Sequence, residues 1–292
     1  MILVFGSINI DLLVPVPGLP RPGETVLGGD YRLLPGGKGA NQALAARRAG
    51  ASVRMAGAVG SDPFAGGALE LLRRDGVELA LVGQVERPTG LAAIMVGGSG
   101  ENLIAVASGA NAAVTADIVP DEVLGPQTIV LCQMEVPAAE TSALIRRASR
   151  RGARSILNLA PAMPINRDLL MDVDLLVANE AEAAVLGDDP AVIAGRLRQA
   201  FVVTRGGAGA TAFLRDGGWL DIPALAIAAV DTTGAGDTFV GVLAAGLDQG
   251  LALEAALRRA SAAAGLACLA PGAQTAMPEA AAIDAAVARL SQ

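Results

Sequence analysis

The sequence predicts an α/β protein: a central, mainly parallel sheet flanked by helices, with a small β-sheet lid. Three observations carry this. Short β-like runs alternate with helical patterns along most of the chain. Several helical patterns are closed by glycine, the usual stop just past a helix C-terminus. Two stretches break the alternation and have no helical partner.

Strands are expected at residues 2–5, 53–58, 129–134, 155–158, 175–178 and 201–204. Helices are expected at 40–49 before Gly50, 65–75 before Gly76 and 138–151 before Gly152. Right-handed crossovers between such units build a parallel sheet with helices on both faces. Residues 12–34, rich in Pro and Gly, read as extended, and residues 91–107 read as two strands around Gly97-Gly98-Ser99-Gly100. The two interruptions predict a lid made of insertions at about 12–34 and 89–108 on a single domain spanning 1–292. After Gly234 the chain reads as helical, at 235–248, 252–270 and from Pro278 onward.

Composition limits the function classes. Hydrophobic residues make up 52% of the 292, yet aromatics only 2%. The core must be Ala, Leu, Val and Ile, which suits helices packed closely on a parallel sheet. No apolar run reaches the roughly 18–20 residues needed to span a bilayer. The start, Met1-Ile2-Leu3-Val4-Phe5-Gly6, lacks the basic region of a signal peptide, so the expected location is cytoplasmic. A net charge of −7 argues against nucleic acid and anionic membranes as partners. The basic stretch Arg146, Arg147, Arg150, Arg151 and Arg154 reads as a solvated helix face. Cys132 and Cys268 read as buried free thiols in a reducing compartment.

The chain has no histidine, which removes His-based triads, metal sites and general bases. Lys38 is its one lysine. It lies in a glycine cluster, where backbone can closely approach a ligand, and it marks a place for a compact ammonium rather than a planar guanidinium.

Four motifs carry chemistry. In Asp231-Thr232-Thr233-Gly234-Ala235-Gly236-Asp237, a Gly-Ala-Gly opens a long apolar helix. Its unpaired first N–H groups and the helix dipole form a cradle for a phosphate. Asp237, in the first turn, reads either as a capping carboxylate or as a base that takes a hydroxyl proton during phosphoryl transfer. Gly36-Gly37-Lys38-Gly39-Ala40-Asn41 resembles a phosphate loop, but Gly39 stands where a Walker A loop needs Ser or Thr. Lys38 and Asn41 therefore read as polyol ligands on one helix face rather than as a nucleotide phosphate site. Asn9 and Asp11, two apart at a strand end, point the same way and suit adjacent sugar hydroxyls, or form an Asx turn. Asn179 and Glu182, three apart, suit Mg²⁺ held through water, or a capping box. No Gly-x-Gly-x-x-Gly follows the first strand, which excludes a Rossmann dehydrogenase.

Taken together the motifs resemble the ribokinase (PfkB) family of carbohydrate kinases over essentially the whole chain. The two signatures, Gly-Gly-Lys-Gly-Ala-Asn and Asp-Thr-Thr-Gly-Ala-Gly-Asp-Thr-Phe, stand roughly two hundred residues apart in the expected order. Gly100-Glu101-Asn102, Met134-Glu135-Val136-Pro137, Asn158-Leu159-Ala160-Pro161 and Gly272-Ala273-Gln274 look most like the ribose kinases of that family. The resemblance implies a ribokinase-like fold and transfer of the ATP γ-phosphate to a small sugar, with D-ribose leading. Another sugar, a nucleoside, or a catalytically silent sugar-binding role are the alternatives.

The resemblance also assigns residues. Asn9, Asp11, Gly37, Lys38, Asn41 and Glu135 would hold the sugar, and Ala92, Ile94 and Val106 would cover it. Asp237 would be the base, with Gly234, Ala235 and Gly236 as anion hole. Asn179, Thr204, Gly206 and Gly236 would serve the nucleotide, and Glu182 a Mg²⁺ through water. Asp231 and Thr233, with the backbone of Ala267, Ala270 and Gly272, would form a K⁺ site. Ala276 stands where the family often has a Ser beside that ion, and Asn158-Leu159-Ala160-Pro161 replaces the more usual Asn-Pro-Ala-Pro. Such kinases often dimerise through their lids, so a homodimer is expected.

Overall fold

The β-like runs of the sequence assemble into two sheets. The computed structural model describes residues 1–290; Ser291 and Gln292, to which the expected domain extends, lie outside the described residues. In chain order the strands are β1 (Ile2–Phe5), β2 (Asn9–Pro15), β3 (Arg32–Gly36), β4 (Val53–Gly60), β5 (Glu78–Val85), β6 (Gly90–Val96) and β7 (Asn102–Ala107). They continue with β8 (Ile129–Cys132), β9 (Arg154–Asn158), β10 (Leu175–Asn179), β11 (Ala200–Thr204), β12 (Ala210–Leu214) and β13 (Trp219–Ile222). The helices are α1 (Lys38–Arg48), α2 (Phe64–Ala68), α3 (Glu70–Arg74), α4 (Ala138–Arg150), α5 (Glu180–Leu186), α6 (Pro190–Ala194), α7 (Ala235–Asp248), α8 (Leu253–Ala267) and α9 (Ala280–Leu290).

The large sheet has nine strands in the order β13-β12-β11-β10-β9-β8-β1-β4-β5. From β11 to β5 every pairing is parallel, and β12 and β13 add an antiparallel edge. The small sheet runs β3-β2-β6-β7, with β2 parallel to β6 and the outer pairings antiparallel. This is the α/β architecture that the alternation predicts.

Strand β1 shows how the core is divided. Its side chains alternate between faces, as strand geometry requires. Ile2 and Val4 pack into one cluster with Leu44 of α1, Leu243 of α7 and Leu257 of α8. Leu3 and Phe5 pack into the other with Leu144 and Ile145 of α4. Alanine fills much of both clusters, so helix backbones come close. At Gly241 of α7 a Cβ would lie 2.5 Å from the Gln42 carbonyl oxygen and 2.8 Å from the Ala45 Cβ. This approach brings the start of α1 beside the start of α7, where the polar residues lie.

Three strands, β5, β12 and β13, are absent from the sequence reading. β5 lies at a sheet edge with a half-exposed pattern, and β12 is alanine-rich, so neither has a local strand signature. Their pairings supply the structure instead. The helix expected at 65–75 is two helices, α2 and α3, broken at Leu69, with Gly66 and Gly67 weakening the first. The strand expected at 129–134 ends at Cys132, and the helix expected at 252–270 at Ala267.

Candidate active site

Helix α7 begins at a glycine because nothing else fits there. Gly234, its N-cap, has φ 75°, and a Cβ would stand 2.8 Å from the Ala273 Cβ. Gly234 lines two cavities, and Gly236 lines one of them. Ala235 N–H donates to the Thr232 carbonyl at 3.2 Å, so of the three expected anion-hole positions it is the one already engaged. A Cβ on Gly236 would meet open space.

Asp237 is buried and is held on both carboxylate oxygens. Asn41 Nδ2 donates to Oδ2 and Gln42 Nε2 to Oδ1, each at 2.9 Å. Asp237 lines both cavities, as do Lys38 and Gly234. It therefore stands where the two spaces meet.

The larger cavity, about 660 Å³, is lined by Asn9, Asp11, Gly37, Lys38, Asn41 and Glu135, with Ala92, Ile94 and Val106 from the small sheet. All the expected sugar and lid residues thus face one space. Asn9 and Glu135 each have one end fixed and another spare. Asn9 Oδ1 accepts from Asn111 Nδ2 at 2.7 Å, which leaves its NH₂ for a ligand. Glu135 Oε2 accepts from Ser7 Oγ at 2.5 Å and from Lys38 N–H at 3.0 Å, which leaves Oε1. Asn41 is more committed than its sequence position indicates. Its Oδ1 accepts from Gln274 Nε2 at 3.0 Å, and one of its two N–H bonds serves Asp237.

Asp11 is pushed up to about 7 from an ordinary 3.8, first by burial, then by Glu135 and Asp237; Lys38 pulls the other way. A carboxylate so crowded gains from hydroxyl donors. Lys38 is raised chiefly by Asp237, against burial, with Glu135, Glu182 and Asp11 adding, so it stays an ammonium.

The smaller cavity, about 150 Å³, is lined by Lys38, Asn179, Glu182, Thr204, Gly234, Gly236 and Asp237. Asn179 and Glu182 form a capping box: each side chain accepts from the other's backbone N–H at 2.8 Å. Each still has a free polar end. Burial raises the Glu182 pKa, with the Asn179 N–H and Lys38 opposing and Asp237 adding. Lys38 thus lines this cavity as well as the larger one.

A third cavity, about 330 Å³, continues past Thr204 and Gly206 and is mostly apolar, lined by Leu225, Ile227, Phe239, Ala264 and Gly265 among others. Beneath the helix mouth, Asp231 Oδ1 accepts from Thr233 N at 2.9 Å and Thr233 Oγ at 2.6 Å, and Oδ2 accepts from Gly272 N at 2.8 Å. Burial would raise Asp231, but these bonds hold it below the usual range. Ala267 ends α8, with Ala270 and Gly272 in the turn that follows. Gln42, Gln133, Asn158, Asn111 and Gln274, all buried, escaped the sequence reading as site residues. Amides scattered over more than two hundred residues give no local spacing to detect.

Comparison with known proteins gives the family. The profile of the pfkB family carbohydrate kinases matches residues 1–280. The chain belongs to the pfkB family. A ribokinase of Bacillus subtilis is 36% identical over 280 residues, covering 95% of this chain and 96% of the relative. Among solved structures, a ribokinase of Thermotoga maritima superposes with a TM-score of 0.91 at 29% identity, covering 99% of each chain. A ribokinase of Arabidopsis thaliana complexed with ribose and ATP superposes with a TM-score of 0.88 at 29% identity, covering 98% of each. The pfkB assignment makes this chain an ATP-dependent carbohydrate kinase.

Proposed function

We propose that the protein transfers the γ-phosphoryl group of ATP to the 5-hydroxyl of D-ribose, with Asp237 as base. The observation that carries this is Asp237 at the junction of a polyol-lined cavity and a helix mouth. The ribokinase names of the relatives favour ribose as the sugar.

The sugar sits among Asn9, Asp11, Gly37, Lys38, Asn41 and Glu135, with Ala92, Ile94 and Val106 as its cover. Its 5-oxygen attacks the γ-phosphorus as the bond to the β-bridging oxygen breaks, and the hydroxyl proton passes to Asp237. The proton moves late, when the oxygen has become acidic, so an ordinary carboxylate suffices. Gly234, Ala235 and Gly236 line the helix mouth, whose N–H groups and dipole take charge from the transferring group. Thr204 and Gly206 run along the nucleotide, with the apolar third cavity for its base. Lid closure over the sugar excludes water and suppresses ATP hydrolysis.

Asn179 and Glu182 fit a Mg²⁺ that keeps most of its waters, since one carboxylate with a free oxygen beside a phosphate site is what that ion uses. Bound there, Mg²⁺ would neutralise charge on the phosphates. Asp231, Thr233 and the carbonyls of Ala267, Ala270 and Gly272 fit K⁺, because a carboxylate meets the negative end of α8. No cluster of three His, Cys, Asp or Glu that could hold a metal occurs among the described residues, consistent with a Mg²⁺ held mainly by phosphate and water.

We read the chain as one domain, 1–292, with the lid at about 12–34 and 89–108. The exposed Leu103, Ile104 and Val106 on edge strand β7 favour a homodimer joined through the lids. No described helix is long and apolar enough to cross a membrane, and both cysteines are free, which favours a cytoplasmic enzyme.

The test is a coupled phosphorylation assay over pentoses, hexoses and nucleosides, with K⁺ and Na⁺ compared and Mg²⁺ titrated. Ribose is expected to give the highest kcat/KM. ATP turnover indifferent to every sugar would overturn the reading.

A further inference from the structure

A glutamine has two ends of equal shape and opposite chemistry, and against a carboxylate only the NH₂ end is favourable. Gln42, fully buried on α1, presents that end to Asp237. One N–H of Nε2 meets Asp237 Oδ1 at 2.9 Å and the other meets Asn158 Oδ1 at 2.9 Å. Its Oε1 accepts from Gln133 Nε2 at 2.7 Å. Gln133 fixes the direction in turn. Its own Oε1 is buried beside Gly6, where a Cβ would lie only 1.9 Å away, and it has no hydrogen-bond partner among the described residues. Reversing either amide would set oxygen against oxygen, so the chain of donors runs one way, from Gln133 through Gln42 to Asp237.

We propose that Gln42, oriented by Gln133, is a positioning residue that fixes the rotation of the Asp237 carboxylate. Gln42 is not among the described residues lining either cavity that Asp237 lines, so it acts through Asp237 rather than on a substrate. With Asn41 on Oδ2 and Gln42 on Oδ1, rotation about the Cβ–Cγ bond would break both contacts. The remaining lone pairs therefore keep one aim, and misaimed groups cost turnover rather than affinity. The charged groups facing Asp237 are Lys38 from α1, Asp11 from β2 and Glu182 from α5, while Glu135 after β8 acts on Asp11 and Lys38. None of these depends on Gln42.

The inference rests on the kinase reading, and the experiment separates the two. Gln42→Met keeps length and removes the donors. Its kcat with ribose is expected to fall about 10–100-fold, with KM for ribose and ATP within about threefold. Gln133→Met leaves Gln42 in place but frees its rotation, so it should show the same pattern more weakly. The double variant should be no worse than Gln42→Met, since both act on one path. Circular dichroism and Tm monitor folding, and Gln133→Met decides the matter if Gln42→Met does not fold. A folded Gln42→Met with wild-type kcat overturns the inference, as does a rise in KM alone, which marks a substrate contact. A wild type inert toward every sugar overturns the kinase reading and this inference together.

Discussion

Asn41 Nδ2 donates to Asp237 Oδ2 at 2.9 Å, joining residues 196 apart in sequence. The contact ties α1, whose Lys38 and Asn41 line the larger cavity, to the mouth of α7. It exists because α1 and α7 touch through Ala45 and Gly241, with no side chain at the glycine to hold them apart. In the proposed reaction one helix pair would position both the attacking hydroxyl and the base.

Asp237→Asn tests the base directly. The amide is nearly isosteric, but its NH₂ end must face Asn41 or Gln42, and one of those donors loses its acceptor. A modest fall in Tm and a fall in kcat of about 10²–10⁴-fold are expected. Steady-state kinetics beside thermal melts check both; turnover near wild type would remove Asp237 as base.

Asp11 predicts a conflict between stability and binding. Its folded pKa, about 7, lies above the ordinary 3.8 because of burial, Glu135 and Asp237. Between those values the folded chain binds the extra proton and the unfolded chain does not. Stability from this group is thus full at low pH, falls as pH rises through the folded pKa, and is lost above it. Asp11→Asn should stabilise the sugar-free protein at pH 8 by on the order of 1–2 kcal/mol. It should leave Tm little changed near pH 4, and weaken ribose binding strongly at either pH. Melts at two pH values with ribose titration decide this; an Asn variant less stable at pH 8 contradicts it.

Most of the large sheet was legible because its central strands are apolar runs between glycine-closed helices. β5, β12 and β13 were not, since these edge strands take their form from pairing with the neighbouring strand. At the site, Asp237, Lys38, Asp11 and Asn9 were legible in compact motifs. Gln133 and Gln274 were not, because an isolated buried amide looks like any surface glutamine until the fold supplies its partners. Asn179 and Glu182 carried two meanings in the sequence, capping and metal binding. The structure makes the cap and leaves each a free polar end on the cavity.

Two glycines in one turn should respond differently to alanine. At Gly234, φ is 75° and the new Cβ would press on Ala273, so Gly234→Ala should cost about 1–3 kcal/mol of stability. At Gly236 the new methyl enters open space, so Tm should hold. The methyl would instead crowd the phosphate, and kcat/KM for ATP should fall at least about tenfold. Unaltered ATP kinetics in Gly236→Ala would mean that the phosphate binds elsewhere.

Glu182→Gln separates the cap from the metal. Glutamine can still accept the Asn179 N–H, so the capping box survives and Tm should change by little. The free oxygen is replaced by an amide NH₂, however, and a Mg²⁺ held through water would lose its protein carboxylate. The Mg²⁺ concentration for half-maximal rate should rise several-fold, with KM for ribose steady. Titrating Mg²⁺ at fixed ATP gives the answer. If the midpoint stays in place while Tm drops, Glu182 serves the helix alone.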